Sequence, residues 1–212
     1  MIYTVAEYAA TFIDCILIFA FLIYSIGFKS NITIKIKALL TAIFFIIMLL
    51  VINIFNHYNS NEGVLTVVYF IIPFMFSTLV LNGKYWYQLV IILLGFLIIF
   101  LVNASITILS SLTLNIGYED ILNMRNSARI ILLLLSKMTT ISIFILLARL
   151  IRNNKADLNF RQSIFAIIIF SVSIIIGLTI EKMIFENHIL FIYATIIMIS
   201  VILINILIFL IF

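Results

Sequence analysis

The sequence predicts an all-α membrane protein whose helices cross the bilayer several times. Of its 212 residues 66% are apolar and only 9% are charged, and the chain contains a single proline. Its apolar runs repeatedly exceed about eighteen residues, the length that an α-helix needs to cross the hydrocarbon core. Strands of a membrane β-barrel would alternate apolar and polar residues, whereas these runs are uniformly apolar. We therefore expect a polytopic transmembrane helical bundle that forms one domain over residues 1–212.

Seven spans fit this pattern, with six as the alternative count. They cover approximately residues 3–26, 38–56, 64–82, 86–112, 128–150, 162–180 and 188–212. The polar connections between them lie at 29–37, 57–63, 82–84, 113–126, 151–161 and 181–187. None of these connections is long enough to fold as a soluble domain.

Local features mark several of these elements in chain order. The first span carries the acidic Glu7 before its centre and is followed by its first cation, Lys29. The fourth begins with the aromatic run Tyr85–Tyr87 beside Lys84, which is typical of the membrane interface. The last is apolar through Ile202–Phe212 (ILINILIFLIF), whereas a membrane helix normally emerges into a charged segment. We therefore expect this helix to lead into a further segment.

The basic residues predict the orientation, because lysine and arginine near helix ends stay on the cytoplasmic side. Eight of them lie on the first, third and fifth connections or at their edges: Lys29, Lys35, Lys37, Lys84, Arg149, Arg152, Lys155 and Arg161. The other connections carry five acidic residues (Glu62, Glu119, Asp120, Glu181 and Glu186) against three basic ones (Arg125, Arg129 and Lys182). This partition predicts a multi-pass protein of the cell membrane with its N-terminus outside and, for seven spans, its C-terminus in the cytoplasm. The net charge of +4 then reflects topology and indicates no nucleic-acid partner.

Charges inside the spans are the most informative residues, because an ionisable side chain at mid-bilayer costs roughly 2.5–3.5 kcal/mol and usually has a partner. Glu7 and Asp14 share one face of the first helix, and Arg129 and Lys137 lie eight residues apart on the fifth. The acidic residues are about 10.5 Å apart along their helix and the basic ones about 12 Å. We therefore predict an outer Glu7–Arg129 pair and a deeper Asp14–Lys137 pair. Such pairs either pin two helices together or take part in ligand response; alternatively, Glu7 and Arg129 reach separately to the outer interface.

Other chemistry is sparse. The lone Cys15 lies within the first span, and His57 and His188 belong to outward-facing connections. This pattern predicts no disulfide framework, no metal site and no cofactor. The six glycines form no phosphate-binding loop. A Cys–His intramembrane peptidase is the weakest functional alternative.

Three segments carry a resemblance to a known family. They are VAEYAATFIDCILIF in the first span, LNGKYWYQLVI at the third-to-fourth turn, and NSARIILLLLSK, with Arg129 and Lys137, at the start of the fifth span. In this order, and over the whole chain, they resemble the membrane sensor region of Agr-type peptide-pheromone receptor histidine kinases, which carry a GHKL-type ATPase domain.

The resemblance implies a receptor of six or seven helices that binds a short secreted peptide at its outer face. It further implies a signal passed through the last helix to a cytoplasmic dimerisation helix and kinase, and therefore a homodimer. The sequence ends at Phe212, so the phosphoaccepting histidine and the ATP site of the family are expected beyond it. Neither His57 nor His188 can replace that histidine, because both are predicted to face outward. No catalytic site is therefore expected within residues 1–212.

The sequence thus predicts a membrane receptor for an extracellular peptide or small amphipathic ligand, with the lipid bilayer as its other partner. The candidate ligand-binding or switch residues are Glu7, Asp14, Tyr118, Glu119, Asp120, Arg125, Arg129 and Lys137. The leading alternative is a solute-binding integral membrane subunit of a transporter. Such a site is expected to interrupt paired helices with glycine or proline near the midplane, and Pro73 and Gly95 are the only candidates.

Overall fold

The computed structural model describes residues 2–57, 62–114, 116, 120–121, 127–154, 159–186 and 196–205, with the side chains at several helix ends excepted. These residues form helices α1 (Ile2–Ile26), α2 (Ile34–His57), α3 (Glu62–Val80), α4 (Tyr85–Leu114), α5 (Ser127–Asn154), α6 (Phe160–Glu186) and α7 (Ile196–Asn205). The described part contains no β-strand, only one isolated bridge. The predicted all-α class is therefore confirmed.

The helices follow the predicted spans closely. Five of them contain a stretch long and apolar enough to cross a membrane: Val5–Ile26, Ile34–Ile54, Tyr85–Leu114, Ser127–Arg152 and Phe160–Ile180. The stretches Tyr69–Val80 and Ile196–Asn205 are apolar but shorter. The chain is therefore a polytopic helical membrane bundle, and the count of seven spans stays a prediction.

Helix α4 forms the centre of this bundle. In its most apolar stretch 67% of the residues are buried, against 11% in α2. Helices α1, α3, α5 and α6 all pack against α4, while α2 packs at the periphery against α1 and α3. Large apolar side chains such as Ile46, Leu134 and Ile175 remain exposed on the outer helices. This apolar exterior is what a bundle surrounded by lipid requires.

The first and third connections join through their backbones at one end of the bundle. Phe28 and Leu81 form the isolated antiparallel bridge, and the amide of Lys29 donates to the carbonyl of Val80 at 3.0 Å. Gly27 has a φ of 83°, a conformation that glycine adopts readily because it has no Cβ. This glycine therefore ends α1 and turns the chain toward α3.

Lysine 29 also stabilises the end of α3. Its Nζ donates to the carbonyls of Thr78 at 2.6 Å and Leu79 at 3.3 Å. The last carbonyls of a helix lack partners within the helix and carry partial negative charge, so a cation is favourable there.

Gln88, which is buried on the first turns of α4, holds the tight turn between α3 and α4. Its Nε2 lies 3.3 Å from the carbonyl oxygens of Leu81, Asn82 and Gly83. Its Oε1 accepts a hydrogen bond from the hydroxyl of Ser77. The side-chain amide of Gln88 thereby provides hydrogen-bond donors to backbone carbonyls that lipid could not satisfy.

The end of α5 reaches the same region, because the guanidinium of Arg152 lies over the ring of Tyr24 at 4.9 Å. We call this end of the bundle, which carries Lys29, Lys84 and Arg152, the basic end. The predicted grouping of the first, third and fifth connections is therefore confirmed, and the side of the membrane stays a prediction.

Two glycines bring helices into close contact. A Cβ at Gly177 on α6 would lie 2.5 Å from Cε1 of Phe100 on α4. A Cβ at Gly95 on α4 would lie 3.3 Å from Cδ1 of Phe21, whose ring stacks on Phe144 with centroids 4.6 Å apart. Small residues allow such approach between membrane helices. The structure assigns Gly95 to packing, and both contacts position α4 against its neighbours.

Candidate functional site

A buried ion pair joins the middle of α1 to the middle of α5. Nζ of Lys137 donates to Oδ2 of Asp14 at 2.6 Å. Asp14 is 7% exposed and Lys137 5%, so both charged groups are buried within the protein. The deeper of the two predicted pairs is therefore confirmed. Its charges compensate each other where either one alone would be costly.

Polar groups on α4 and α5 extend this pair into a cluster. Oδ1 of Asn103 lies 3.5 Å from Nζ of Lys137 and also accepts a hydrogen bond from the hydroxyl of Ser136. In the described part of the chain, no donor reaches Oδ1 of Asp14, although that atom is buried. The carboxylate is therefore held from one side only, and its geometry depends on Lys137.

The outer predicted pair is also present but looser. Nε of Arg129 lies 3.9 Å from Oε1 of Glu7, whose side chain is 53% exposed. At this distance and exposure an ion pair contributes little, because solvent and salt screen it. The pair lies farther from the basic end than Asp14 and Lys137, so the depths match as the helical spacing predicts.

A cavity of about 220 Å³ adjoins the cluster between α4 and α5. Asn103, Ser136 and Lys137 line its deep side, and Arg129 and Thr107 line the remainder with apolar residues that include Phe100. The two cations Arg129 and Lys137 therefore line one small space inside the bundle, whereas the hydroxyls of Ser136 and Thr107 already donate to Asn103. Such a space suits a carboxylate, a carbonyl or another group rich in hydrogen-bond acceptors.

The structure brings together four of the predicted site residues: Glu7, Asp14, Arg129 and Lys137. Asp120 is exposed and makes no ion pair with the described residues. Tyr118, Glu119 and Arg125 lie outside the described residues.

Of the residues proposed for the peptidase alternative, only Cys15 has a described side chain. Cys15 is a buried free thiol beside Asp14. The side chain of His57 and the whole of His188 lie outside the described residues. Among the residues that the structure describes, no group of three or more histidine, cysteine or acidic side chains could hold a metal ion.

Sequence reasoning missed the uncharged polar residues of the interior. Asn103 and Ser136 belong to the charge cluster, and a second polar contact links α6 to α7. There the amide of Asn205, which is 1% exposed, donates to the hydroxyl of Ser173 at 2.8 Å. An asparagine within an apolar run is a detectable signal, because its amide needs hydrogen-bond partners in lipid.

No known family model, curated protein or solved structure matches the chain. The fold and the buried pair therefore define the class directly. The chain is a polytopic α-helical membrane protein with an internal ion pair and an adjoining polar cavity.

Proposed function

We propose that the chain is the membrane sensor region of a receptor of the Agr-type histidine kinase class. In this proposal it binds an extracellular peptide or small amphipathic ligand, lies in the cell membrane with its N-terminus outside, and works as a homodimer. The observation that carries the proposal is the cavity between α4 and α5, with Lys137 in its wall and Asp14 paired to the same ammonium.

The size of the cavity favours a peptide over a whole small solute. Its volume of about 220 Å³ is below the roughly 300–1,000 Å³ typical of small-molecule pockets. It would accommodate one side chain or a terminal carboxylate of a peptide held elsewhere by the outer segments. A solute-binding transporter subunit would need to enclose its solute more completely.

The mechanism follows from competition for Lys137. A ligand carboxylate or carbonyl in the cavity would accept a hydrogen bond from Nζ and weaken its bond to Asp14. Asp14 has no second donor among the described residues, so it would be left as a poorly compensated buried charge. A shift of α1 relative to α5 would relieve that cost. The ligand thereby favours the state in which the two helices are differently packed.

A series of contacts offers a route from the cavity to α7. Phe100 lines the cavity and lies against Gly177 of α6. One helical turn away on α6, Ser173 is hydrogen-bonded to Asn205 of α7. A displacement of Phe100 would act on α6 and, through Ser173, on the last described helix.

The test uses the chain fused after Phe212 to the dimerisation helix and kinase half of an Agr-type receptor. The probe is the peptide fraction of medium conditioned by the organism that carries the chain, and the readout is autophosphorylation. We expect a response that protease treatment of the fraction abolishes. Asp14→Asn combined with Lys137→Met should fold and lose the response, whereas Lys35→Met, which removes an exposed cation, should keep it.

Two outcomes would contradict the receptor proposal. One is a fusion with an active kinase that no peptide fraction changes. The other is uptake of a labelled solute by proteoliposomes in the absence of any peptide, which would favour the transporter subunit. Exchanging segments 57–63, 113–126 and 181–187 with those of a receptor of different preference should transfer the ligand preference. An unchanged preference would place ligand recognition elsewhere.

A further inference from the structure

The basic end contains two adjoining cavities that the proposed receptor mechanism does not use. One, of about 900 Å³, is lined by the backbone turn at Asn82 and Gly83 together with Arg152. The other is a groove of about 390 Å³ between α1 and α5. Tyr24 and Ala20 line both, so the two spaces meet. Both volumes fall within the roughly 300–1,000 Å³ of ordinary ligand sites.

Two arginines near the end of α5 line these cavities. Arg149 lines the groove and Arg152 lines the larger cavity. They are three residues apart on α5 and therefore lie on neighbouring parts of one helix face. The ring of Tyr24 holds the guanidinium of Arg152 at 4.9 Å. Within the described residues, neither arginine forms an ion pair with an acidic side chain.

Two other described cations, one in the interior and one at this end, are already engaged. Lys137 is paired with Asp14, and Lys29 donates to carbonyls at the end of α3. Arg149 and Arg152 differ in presenting exposed guanidinium groups at the mouth of a ligand-sized space. Guanidinium groups bind phosphate oxygens in a bidentate manner, so the charge of this mouth complements an anionic phosphate.

The groove below the arginines complements an acyl chain. Its lining is almost entirely apolar and includes Leu17, Phe21, Ile141 and Ile145. From Ile141 to Arg149 the helix rises about 12 Å, most of one half of the roughly 30 Å hydrocarbon core. The groove therefore runs along one leaflet and ends at the arginines. A water-soluble anion would contact only the arginines, whereas a phospholipid would contact both the arginines and the apolar groove.

We propose that the α1–α5 groove binds an anionic phospholipid, with its phosphate held by Arg149 and Arg152 and one acyl chain lying against the groove. The predicted orientation puts this site in the cytoplasmic leaflet, where anionic lipids are abundant. The lipid bridges the same two helices as the Asp14–Lys137 pair and thereby stabilises their contact. This inference stands independently of the receptor proposal.

The experiment measures lipid binding to the purified full chain in detergent by native mass spectrometry and by thermal shift. The probes are phosphatidylglycerol, phosphatidylcholine and inorganic phosphate. We expect phosphatidylglycerol to bind and to raise the melting temperature, phosphatidylcholine to bind much more weakly, and inorganic phosphate to have no effect. Arg149→Gln combined with Arg152→Gln should weaken phosphatidylglycerol binding by about thirtyfold, since two cation contacts are lost.

Matched variants separate a site from general surface charge. Lys35→Gln combined with Lys84→Gln removes the same charge from exposed positions at the same end and should leave binding within about twofold. Ala20→Phe should fill the junction of groove and cavity and weaken binding without touching a charge. This variant also provides the test if the double arginine variant does not fold.

Three results would overturn the proposal. The first is an equal loss of binding in the lysine and arginine double variants, which would indicate unspecific attraction of anionic lipid. The second is equal stabilisation by inorganic phosphate, which would indicate a site for a free anion. The third is unchanged phosphatidylglycerol binding in both the arginine variant and Ala20→Phe.

Discussion

The ammonium of Lys137 on α5 lies 2.6 Å from the carboxylate of Asp14 on α1, although the two residues are 123 positions apart in the sequence. Both groups lie near the middle of their helices and are shielded from water. This contact therefore joins α1 to α5 at the middle of the bundle, and its removal is the most direct test of the charge pairing.

Removing one partner of this pair should destabilise the protein strongly. Asp14→Asn leaves a buried cation without its counter-ion, and we expect a loss of about 3–5 kcal/mol in the free energy of unfolding. The combination with Lys137→Met should recover much of that loss. Denaturant unfolding in lipid-like detergent measures both, with Lys35→Met as the control. Strictly additive single losses would show that the two residues do not interact.

The outer pair should matter much less. Glu7→Gln removes a partner that lies 3.9 Å from Arg129 and is half exposed, so we expect less than about 1 kcal/mol. The effect should shrink further as salt concentration rises, because exposed charges are screened. Unfolding measured at low and high salt tests this. A loss as large as that of Asp14→Asn would mean that Glu7 is buried in the membrane-embedded protein.

Replacing Gly177 by alanine should disturb the contact of α6 with α4. A Cβ there would overlap Phe100, and we expect overpacking to cost about 1–3 kcal/mol. Phe100→Leu in the same chain should restore part of the stability by providing room. Gly95→Ala is the comparison, because its Cβ would meet Phe21 at 3.3 Å and the gain of about 1 kcal/mol in helix propensity offsets a milder contact. Equal losses at both glycines would contradict this ranking.

The hydrogen bond between α6 and α7 should contribute modestly to stability. Asn205→Leu removes the amide that donates to Ser173, and interhelical hydrogen bonds in membranes average about 0.6 kcal/mol with a maximum near 1.7. Ser200→Ala is a matched control, because in the described structure the hydroxyl of Ser200 bonds only to its own helix. If the two variants unfold alike, the contact does not hold α7 in place.

The topology predicts accessibility at both faces of the membrane. Cysteines introduced at Lys35 and Arg152 should react with an impermeant thiol reagent from the same, cytoplasmic side, because both positions belong to basic connections. A tag at Met1 should be reached from outside. The native Cys15 is buried and provides little background. Labelling of positions 35 and 152 from opposite sides would exclude the arrangement of alternating spans.

The part of the site that could be predicted is that the acidic residues of α1 and the basic residues of α5 lie at matching depths. Glu7 and Asp14 are separated by about two turns, as are Arg129 and Lys137. Because the first and fifth spans of an alternating bundle run in the same direction, Glu7 meets Arg129 and Asp14 meets Lys137. Helix periodicity is local and can be read directly from the chain. The grouping of basic connections at one end follows equally simply from alternating spans.

The partners of the uncharged polar residues could not be predicted in the same way. Asn103 joins Lys137 only because α4 is rotated so that this face meets α5. Its rotation depends on close packing at Gly95 and Gly177, hence on contacts with three other helices, α1, α5 and α6. No local pattern specifies such a choice.

Composition, span length and helical spacing by themselves determined the all-α membrane class and the pairing of Asp14 with Lys137. The class follows from the cost of exposing backbone polar groups to lipid, which each helix avoids through its own hydrogen bonds. The pairing follows from the cost of leaving a charge uncompensated in the membrane. Only the tertiary structure decided that α4 is the central helix, that Asn103 and Ser136 complete the charge cluster, and that Arg149 and Arg152 border a groove. These arrangements depend on which helix faces pack together, and that is a property of the whole bundle.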